Sequence, residues 1–412
     1  MVIRFHPMDE SRIKGFLLAG ATLFGSLHNV YLNQHIAIVS LIQHAVNFGL
    51  ILFLSICLIP RITKLKKTTY LVFFMIAEIT LAALITGRSF FTGFARISPM
   101  LTVLLSLEVC SRNKKEYLSF IDTLKMLLLL LVLVDLATQI LYPRGLYKTA
   151  NYDINWFLGY KTERLPVSLP MMLLFMLSSY MRKGRIDRLT YAVSALAVIN
   201  AVLSQGTGCA LVVIAFILFS LAFESKRFQS SKLIALCLNH VYVFAAYWIA
   251  WITILFISNS QWITTLLVWL NKSPDFSGRS AIWRVCLKMF LDAPILGNGH
   301  LDPSEYRKLA RFDEASNAHN ATLSLMVEGG IIALALFVII YFTALKRKRA
   351  YTAIEKRIAV FIYLTLMIGL TSSIYIFSGF SFLGFWLMEH EKQTSRLETF
   401  HREVLLKGGV LR

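Results

Sequence analysis

Arginine and histidine side chains that can do chemistry are grouped in one stretch of this sequence. Arg279 and Arg284 lie five residues apart, Arg307 and Arg311 lie four apart, and His319 follows shortly after them. A guanidinium group stays charged and binds phosphate oxygens through its planar fork, and an imidazole with a pKa of about 6.5 can accept a proton at neutral pH. These residue types suggest phosphate binding with proton transfer. Solvated arginines, local ion pairs and a helix-capping histidine remain alternatives from spacing alone.

A second group of polar and aromatic residues lies between residues 143 and 165. Amide groups and aromatic faces suit sugar rings, and the two cations of this stretch stand at the edge of the following apolar segment. Surface solvation also explains any one of these residues by itself. The residues are Asn151, Asn155, Trp156, Tyr160, Lys161 and Arg164.

Acidic and other polar residues also occur inside apolar segments. Glu328 is costly to place within a membrane helix, so it is a functional candidate. It follows His319 by nine residues, and at about 100° per residue the two side chains point to opposite sides of a helix, so Glu328 cannot orient His319 directly. Hydrogen bonding between helices is the simpler role for the other such residues. They are His44, Asn47, Glu78, Asp122, Lys125 and Asp135.

The composition assigns these residues to a membrane protein. Of 412 residues, 57% are apolar and 16% are charged, and the net charge is +19. Soluble domains have about 45–50% apolar and roughly 25% charged residues. The lysines and arginines stand in short clusters between long apolar runs, which excludes a nucleic-acid-binding face. The five cysteines include no C-x-x-C pair, so neither a disulfide framework nor a zinc site is supported.

Hydropathy predicts one all-α integral membrane domain over residues 1–412, with about twelve transmembrane helices. Cytoplasmic loops retain Lys and Arg, and placing both termini in the cytoplasm puts 28 of the 42 basic residues on that side. Two connections, 143–165 and the large loop 259–318, then lie outside, and long loops are usually functional. The apolar segments are 15–32, 36–59, 70–86, 97–110, 121–142, 167–181, 189–204, 209–223, 233–257, 320–345, 358–374 and 376–388.

The large outer loop has a pattern of its own. Residues 261–270 are apolar and aromatic but too short to span, which predicts a helix lying along the membrane interface. From Ser280 to Leu291 apolar residues recur at helical spacing, with Arg284 and Lys288 four apart on another face. Pro294 and the glycines that follow predict a turn after this helix.

Residues 277–300, which run from Ser-Gly-Arg-Ser-Ala-Ile-Trp-Arg to Ala-Pro-Ile-Leu-Gly-Asn-Gly-His, resemble the O-antigen polymerase and ligase superfamily of bacterial envelope enzymes. Ala318-His319-Asn320 and the later Gly330 match that pattern in order and spacing, and 157–161 ahead of Pro166 is similar to the family's preceding loop. Residues 204–208 depart from it, because they lack the arginine that many members carry there.

The resemblance implies a fold similar to the C-type glycosyltransferases and transfer of a lipid-diphosphate-linked oligosaccharide to an acceptor sugar. Such a site needs cations for the leaving diphosphate and a base for the acceptor hydroxyl. Arg279 and His319 are the expected catalytic residues, with His319 either a base or a cationic phosphate ligand. The expected substrate-binding residues are Arg284, Asn320, Arg307, Arg311, Lys161, Arg164 and Trp156. No metal or cofactor is expected.

Three functions remain open from the sequence. The first is polymerisation of undecaprenyl-diphosphate-linked repeat units of an O-antigen, capsule or exopolysaccharide at the outer face of the bacterial inner membrane. The second is ligation of finished chains to a lipid or wall acceptor. A transporter is less favoured, because the candidate residues lie in an outer loop rather than at mid-membrane. The expected partners are the lipid-linked donor and acceptor, membrane lipids, a flippase and a chain-length regulator, and no nucleic acid.

Overall fold

The computed structural model is helical throughout the part of the chain that it describes. That part comprises residues 9–149, 154–225, 231–257, 260, 261, 265, 269, 279–311, 317–346, 350–372 and 378–394. Within these residues, extended pairing is limited to two isolated bridges, Tyr147 with Asn155 and Trp156 with Gly159. The predicted all-α class is therefore confirmed for the described residues. The predicted interfacial helix over 261–270 lies largely outside them.

Seventeen α-helices can be numbered in the described residues. The first nine are α1 (Glu10–Ser26), α2 (Val30–His35), α3 (Ala37–Leu58), α4 (Lys67–Ile85), α5 (Phe90–Ile97), α6 (Pro99–Cys110), α7 (Lys114–Leu141), α8 (Leu165–Lys183) and α9 (Arg188–Leu203). The rest are α10 (Thr207–Ala222), α11 (Lys232–Leu238), α12 (His240–Ile257), α13 (Arg279–Asp292), α14 (Pro303–Ala310), α15 (Ala321–Leu345), α16 (Ala353–Gly369) and α17 (383–394). Short 3-10 helices cover Ile59–Lys64 and Lys161–Arg164.

Five helical segments of the described residues are long and apolar enough to cross a membrane. A sixth is obtained if α11 and α12, which meet at an angle of 72°, form one bent span. This confirms a helical membrane protein, while the count of twelve spans and the large outer loop stay predictions. The five segments are Ala37–Lys64, Lys67–Ile85, Lys114–Leu141, Lys161–Lys183 and Ala321–Leu345.

Helix α8 forms the centre of the bundle. Every residue from Leu165 to Ser179 is buried, and the helix packs against α7, α9 and α16. Pro166 lies in its first turn, where a missing N–H costs no helical hydrogen bond, and Gly184 ends it in a left-handed conformation. Because α8 is fixed on all sides, the short segment before it is held in a defined place.

Helix α15 is broken at Gly330, in its first half, and a loop hydrogen-bonds to the backbone at the break. Gly330 has φ 59° and ψ −156°, so the helical hydrogen bonds around it are interrupted. Buried backbone groups in a membrane must find other partners. The loop after α13 supplies them, because Asn298 N and Gly299 N donate to Val327 O and Glu328 O at 2.8 Å, and Ile331 N donates to Pro294 O at 2.9 Å. The glycine-rich turn is thereby held against α15.

Candidate functional site

Two cavities open at the same end of the helix bundle. The larger has a volume of about 740 Å³ and the smaller of about 390 Å³. Pro166, at the start of α8, lines both, so the cavities are neighbours. The polar residues that line the larger cavity include His28, Asn29, His44, Arg96, Glu163 and Glu328.

Arg279 and Lys161 both line the smaller cavity. Arg279 is the first residue of α13, and Lys161 begins the 3-10 helix before α8, so two segments far apart in the chain bring two cations together. Residues 205–209 complete this wall without a basic side chain, as their sequence predicted. No Asp or Glu occurs among the described residues that line this cavity. The smaller cavity is suited to an anion.

His319 lies near a residue of each cavity, Asn317 in the larger and Arg279 in the smaller. Its backbone N–H donates to Asn317 Oδ1 at 2.7 Å, and Asn317 lines the larger cavity. Burial lowers the pKa of His319 to about 4, and the positive charge of Arg279 lowers it further. The imidazole is therefore neutral at pH 7, which leaves a ring nitrogen able to accept a proton. His319 also has a φ of 46°, an uncommon value for a residue with a side chain.

Asn320 holds the start of α15 in place. Its Oδ1 accepts hydrogen bonds from Leu323 N at 3.0 Å and Trp251 Nε1 at 3.1 Å, and its Nδ2 donates to Leu370 O at 2.9 Å. The residue is fully buried. The helix cap is therefore Asn320 rather than His319, and the amide predicted to contact substrate is engaged with the protein on both sides.

The other arginines predicted for the site lie apart from the two cavities. Helix α13 confirms the helical spacing from Ser280 onward, and it leaves Arg284 exposed on its outer face. A spacing of four residues would put Arg307 and Arg311 on one face of a helix, and this expectation is wrong. Helix α14 ends at Ala310, and Arg311 follows it with a left-handed φ of 52°. None of the three is among the lining residues of the described cavities.

Arg164 and Trp156 are parts of a buried network. Arg164 is 1% exposed, and its Nε lies 2.9 Å from the Oδ2 of the fully buried Asp135. Its guanidinium stands 5.1 Å from the Trp156 ring centroid, and Trp156 Nε1 donates to Tyr142 O at 2.8 Å. Leu158 N also donates to Asp135 Oδ1 at 2.8 Å. In this structure both residues therefore fix the loop before α8, and neither side chain reaches a cavity.

His300 and Arg96 are two further residues of this site, and neither has a role predicted from the sequence. His300 Nδ1 is in close contact with Glu328 Oε2, and both side chains are buried. Arg96, at the end of α5, is exposed within the larger cavity. His300 ends the glycine-rich motif, which was a signal for it. No sequence signal pointed to Arg96, because Arg96 lies far from the motif along the chain and comes near it only in the folded protein.

Among the described residues, no three His, Cys, Asp or Glu side chains are placed to hold one metal ion.

Comparison with known proteins finds a family model that matches part of the chain, including some residues of this site. Residues 192–338 match the family model described as O-antigen ligase, a range shorter than half of the chain that includes Arg279, His300, His319 and Glu328. No curated protein and no solved structure matches the chain. Over residues 192–338 the chain is thus similar to the O-antigen ligase family, which confirms the predicted resemblance to the O-antigen polymerase and ligase superfamily.

Proposed function

We propose that this protein polymerises oligosaccharide repeat units carried on undecaprenyl diphosphate, at the outer face of the bacterial inner membrane. The observation that supports this most directly is the smaller cavity. It brings Arg279 and Lys161 together with no carboxylate among its described lining residues, and Arg279 lies near the neutral imidazole of His319. A lipid diphosphate needs cations at the membrane surface, and the acceptor hydroxyl needs a base nearby.

The transfer step follows from these groups. The acceptor hydroxyl oxygen attacks the anomeric carbon of the donor, and its proton passes to the free ring nitrogen of His319. A new glycosidic C–O bond forms while the bond from that carbon to the diphosphate oxygen breaks, and the electron pair leaves with the diphosphate. Arg279 and Lys161 stabilise the charge that develops there. The proton on His319 then returns to solvent or to the released lipid diphosphate.

Ligation is the second candidate function, and the description of the matching family model favours it. A ligase would use the same donor, the same cations and the same base, and it would differ only in the acceptor. The polymerase is preferred here because the motif-bearing stretch from 279 to 330 reads as one continuous module, without a separate segment suited to hold a large lipid acceptor.

Deletion of the gene tests this choice. The long-chain polysaccharide should disappear while single repeat units persist on their usual acceptor, as seen by gel analysis of the cell-surface glycans. Polymer that accumulates on the carrier lipid without reaching an acceptor would instead identify a ligase. Unchanged surface glycans, with the protein shown to be expressed in the parent strain, would contradict both functions.

A further inference from the structure

The two cavities differ in the sign of the groups that line them. The smaller has Arg279 and Lys161 and no carboxyl group among its lining residues. The larger has two carboxyl groups, Glu163 and Glu328, facing a single arginine, Arg96. A carboxylate repels a diphosphate at short range, and it binds hydroxyl groups because its oxygens accept hydrogen bonds from them. The charges therefore favour the diphosphate in the smaller cavity and an uncharged polyhydroxyl ligand in the larger one.

Glu328 is held in a fixed position at the wall of the larger cavity. One oxygen contacts His300 Nδ1, and the backbone carbonyl of Glu328 accepts from Gly299 N at 2.8 Å. Ser324, one helical turn earlier on α15, lines the same cavity. The pairing with His300 involves one carboxyl oxygen, so the other can serve a ligand. A positioned carboxyl group beside a hydroxyl is typical of a site for polar ligands.

Two histidines extend this polar surface. His28 and His44 both line the larger cavity, with ring centroids 4.9 Å apart. His28 Nε2 and His44 Nδ1 are buried and have no hydrogen-bond partner among the residues that the structure describes. Buried polar atoms are seldom left unpaired. A ligand that can both donate and accept hydrogen bonds, as each sugar hydroxyl can, would satisfy them.

We propose that the larger cavity binds the acceptor saccharide, with Glu328, positioned by His300, and Arg96 as hydroxyl-binding residues. This inference rests on the proposed transfer reaction. In a displacement at the anomeric carbon, the attacking hydroxyl and the leaving diphosphate lie on opposite sides of that carbon. With the diphosphate in the smaller cavity, and with His319 near Arg279 of that cavity and Asn317 of the larger one, the acceptor approaches from the larger cavity. A volume of about 740 Å³ is within the usual range for ligand sites.

A labelling experiment tests the proposal without relying on turnover. Ala95→Cys places a thiol in the larger cavity, and Thr207→Cys places one in the smaller. Each variant is reacted with a small thiol reagent as full-length protein in nanodiscs, and labelling at each position is read by mass spectrometry. The first probe is the repeat-unit oligosaccharide released by mild acid from the carrier lipid of the deletion strain. The second is undecaprenyl diphosphate.

We expect the oligosaccharide to slow labelling at position 95 by about tenfold and to leave position 207 unchanged, because only the larger cavity is occupied. Undecaprenyl diphosphate should have the reverse effect. Protection of position 95 by undecaprenyl diphosphate would assign the larger cavity to the donor and overturn the proposal. Failure of the oligosaccharide to protect position 95, at concentrations that saturate transfer by the unmodified enzyme, would also overturn it.

A kinetic measurement separates this proposal from the function on which it rests. The free oligosaccharide is used as acceptor and the lipid-linked repeat unit as donor. Glu328→Gln and Arg96→Gln should each raise the half-saturating concentration of the acceptor by roughly 10- to 100-fold, the loss expected for a hydrogen bond to a charged group. The inhibition constant of undecaprenyl diphosphate should stay within about twofold of its usual value.

The outcomes of the two experiments are distinguishable. If the unmodified enzyme transfers no sugar, the proposed function fails, while protection at position 95 still decides whether the larger cavity binds a saccharide. Unchanged acceptor dependence in both variants, in protein that transfers normally, would overturn the assignment of Glu328 and Arg96. A weakened affinity for undecaprenyl diphosphate in these variants would do so too.

Discussion

His319 has two properties that bear on its role. Its neutral imidazole next to Arg279 favours a base over a cationic phosphate ligand, because a second positive charge there would be repelled. Its left-handed backbone also restricts which substitutions are informative. Asparagine adopts such a backbone more readily than alanine, so it removes the imidazole with less strain.

His319→Asn should lower sugar transfer by roughly 10²–10⁴-fold, the usual contribution of a general base. Donor binding should be kept, because Arg279 and Lys161 remain in the smaller cavity. His319→Arg should be equally inactive, since a guanidinium cannot accept the proton. The measurements are polymer formation from lipid-linked repeat units and donor affinity. A substantially active His319→Arg enzyme would contradict the assignment of His319 as the base. An active His319→Asn enzyme would contradict both roles, that of the base and that of a phosphate ligand.

The pH dependence of transfer gives an independent check. Protonated His319 cannot act as a base, so activity is lost as the pH falls through its pKa. In the free protein this pKa is about 4 rather than the usual 6.5. A bound diphosphate offsets the charge of Arg279 and so raises this pKa in the complex. The acidic limb of kcat should therefore lie at higher pH than that of kcat/KM. If the acidic limbs of kcat and of kcat/KM both lie at about pH 6.5, His319 titrates like an exposed histidine.

Arg279→Lys tests whether the planar fork is needed in the smaller cavity. The variant keeps the charge and loses bidentate binding, so we expect transfer to fall by about tenfold or more with normal abundance in the membrane. Lys288→Arg is the matched control, because it also conserves charge and lies on the exposed face of the same helix, α13. Near-normal polymer from Arg279→Lys would place Arg279 outside the site.

At the scale of elements, the break in α15 determines where Glu328 lies. The turn at 294–299 fills the gap at Gly330 and brings His300 to the carboxyl group. A continuous helix would leave no backbone groups free to bind this turn, and His300 would have no fixed position. The break is thus a requirement of the proposed acceptor site as well as of the fold.

Gly330→Ala tests this requirement. An added Cβ would lie 2.2 Å from Ile295 O, and the backbone conformation is one that residues with side chains avoid at a cost of about 1–3 kcal/mol. We expect a clearly lower melting temperature in detergent and little folded protein. Gly49→Ala is the control, because an added Cβ there meets nothing within 4 Å and alanine favours the α3 helix. Equal stability of the two variants would contradict the described break.

At the scale of the whole molecule, the cavities and the largest clusters of basic residues lie at opposite ends of the bundle. The start of α8 lines both cavities, the first turns of α15 line the larger one, and the start of α10 lines the smaller one. Basic residues cluster at the other ends, including the segment from 346 to 357 after α15. Positive charge is retained in the cytoplasm, so the cavities are expected to face outward.

Thiol labelling in intact cells checks this orientation. Lys308→Cys lies on the exposed surface of α14 at the cavity end, and Ala350→Cys lies beyond the far end of α15. An impermeant reagent should label position 308 in intact cells, or in spheroplasts if an outer membrane blocks access. Position 350 should react only after lysis, and the unmodified protein reports the background of the native cysteines. The reverse pattern would place the site in the cytoplasm.

The sequence by itself determined the features that depend on local pattern. Apolar runs predicted the helical segments, and the spacing of Ile282, Cys286 and Met289 predicted helix α13, because burial of one helical face imposes a period on the residues themselves. Motif order predicted the family. The motif also pointed to His319 and Arg279, which the structure brings close enough for the charge of Arg279 to lower the pKa of His319.

Only the tertiary structure decided which polar residues face a cavity and which face each other. Arg164 and Asp135 lie 29 residues apart and Glu328 and His300 lie 28 apart, and no periodicity connects either pair. The side-chain amide of Asn320 likewise forms hydrogen bonds with Trp251 and Leu370. Burying a charge or an amide is costly unless a partner is supplied, and that partner comes from whichever helix packs alongside. The packing of distant helices therefore made Arg164 and Asn320 structural and brought Arg96 and Glu328 to the larger cavity.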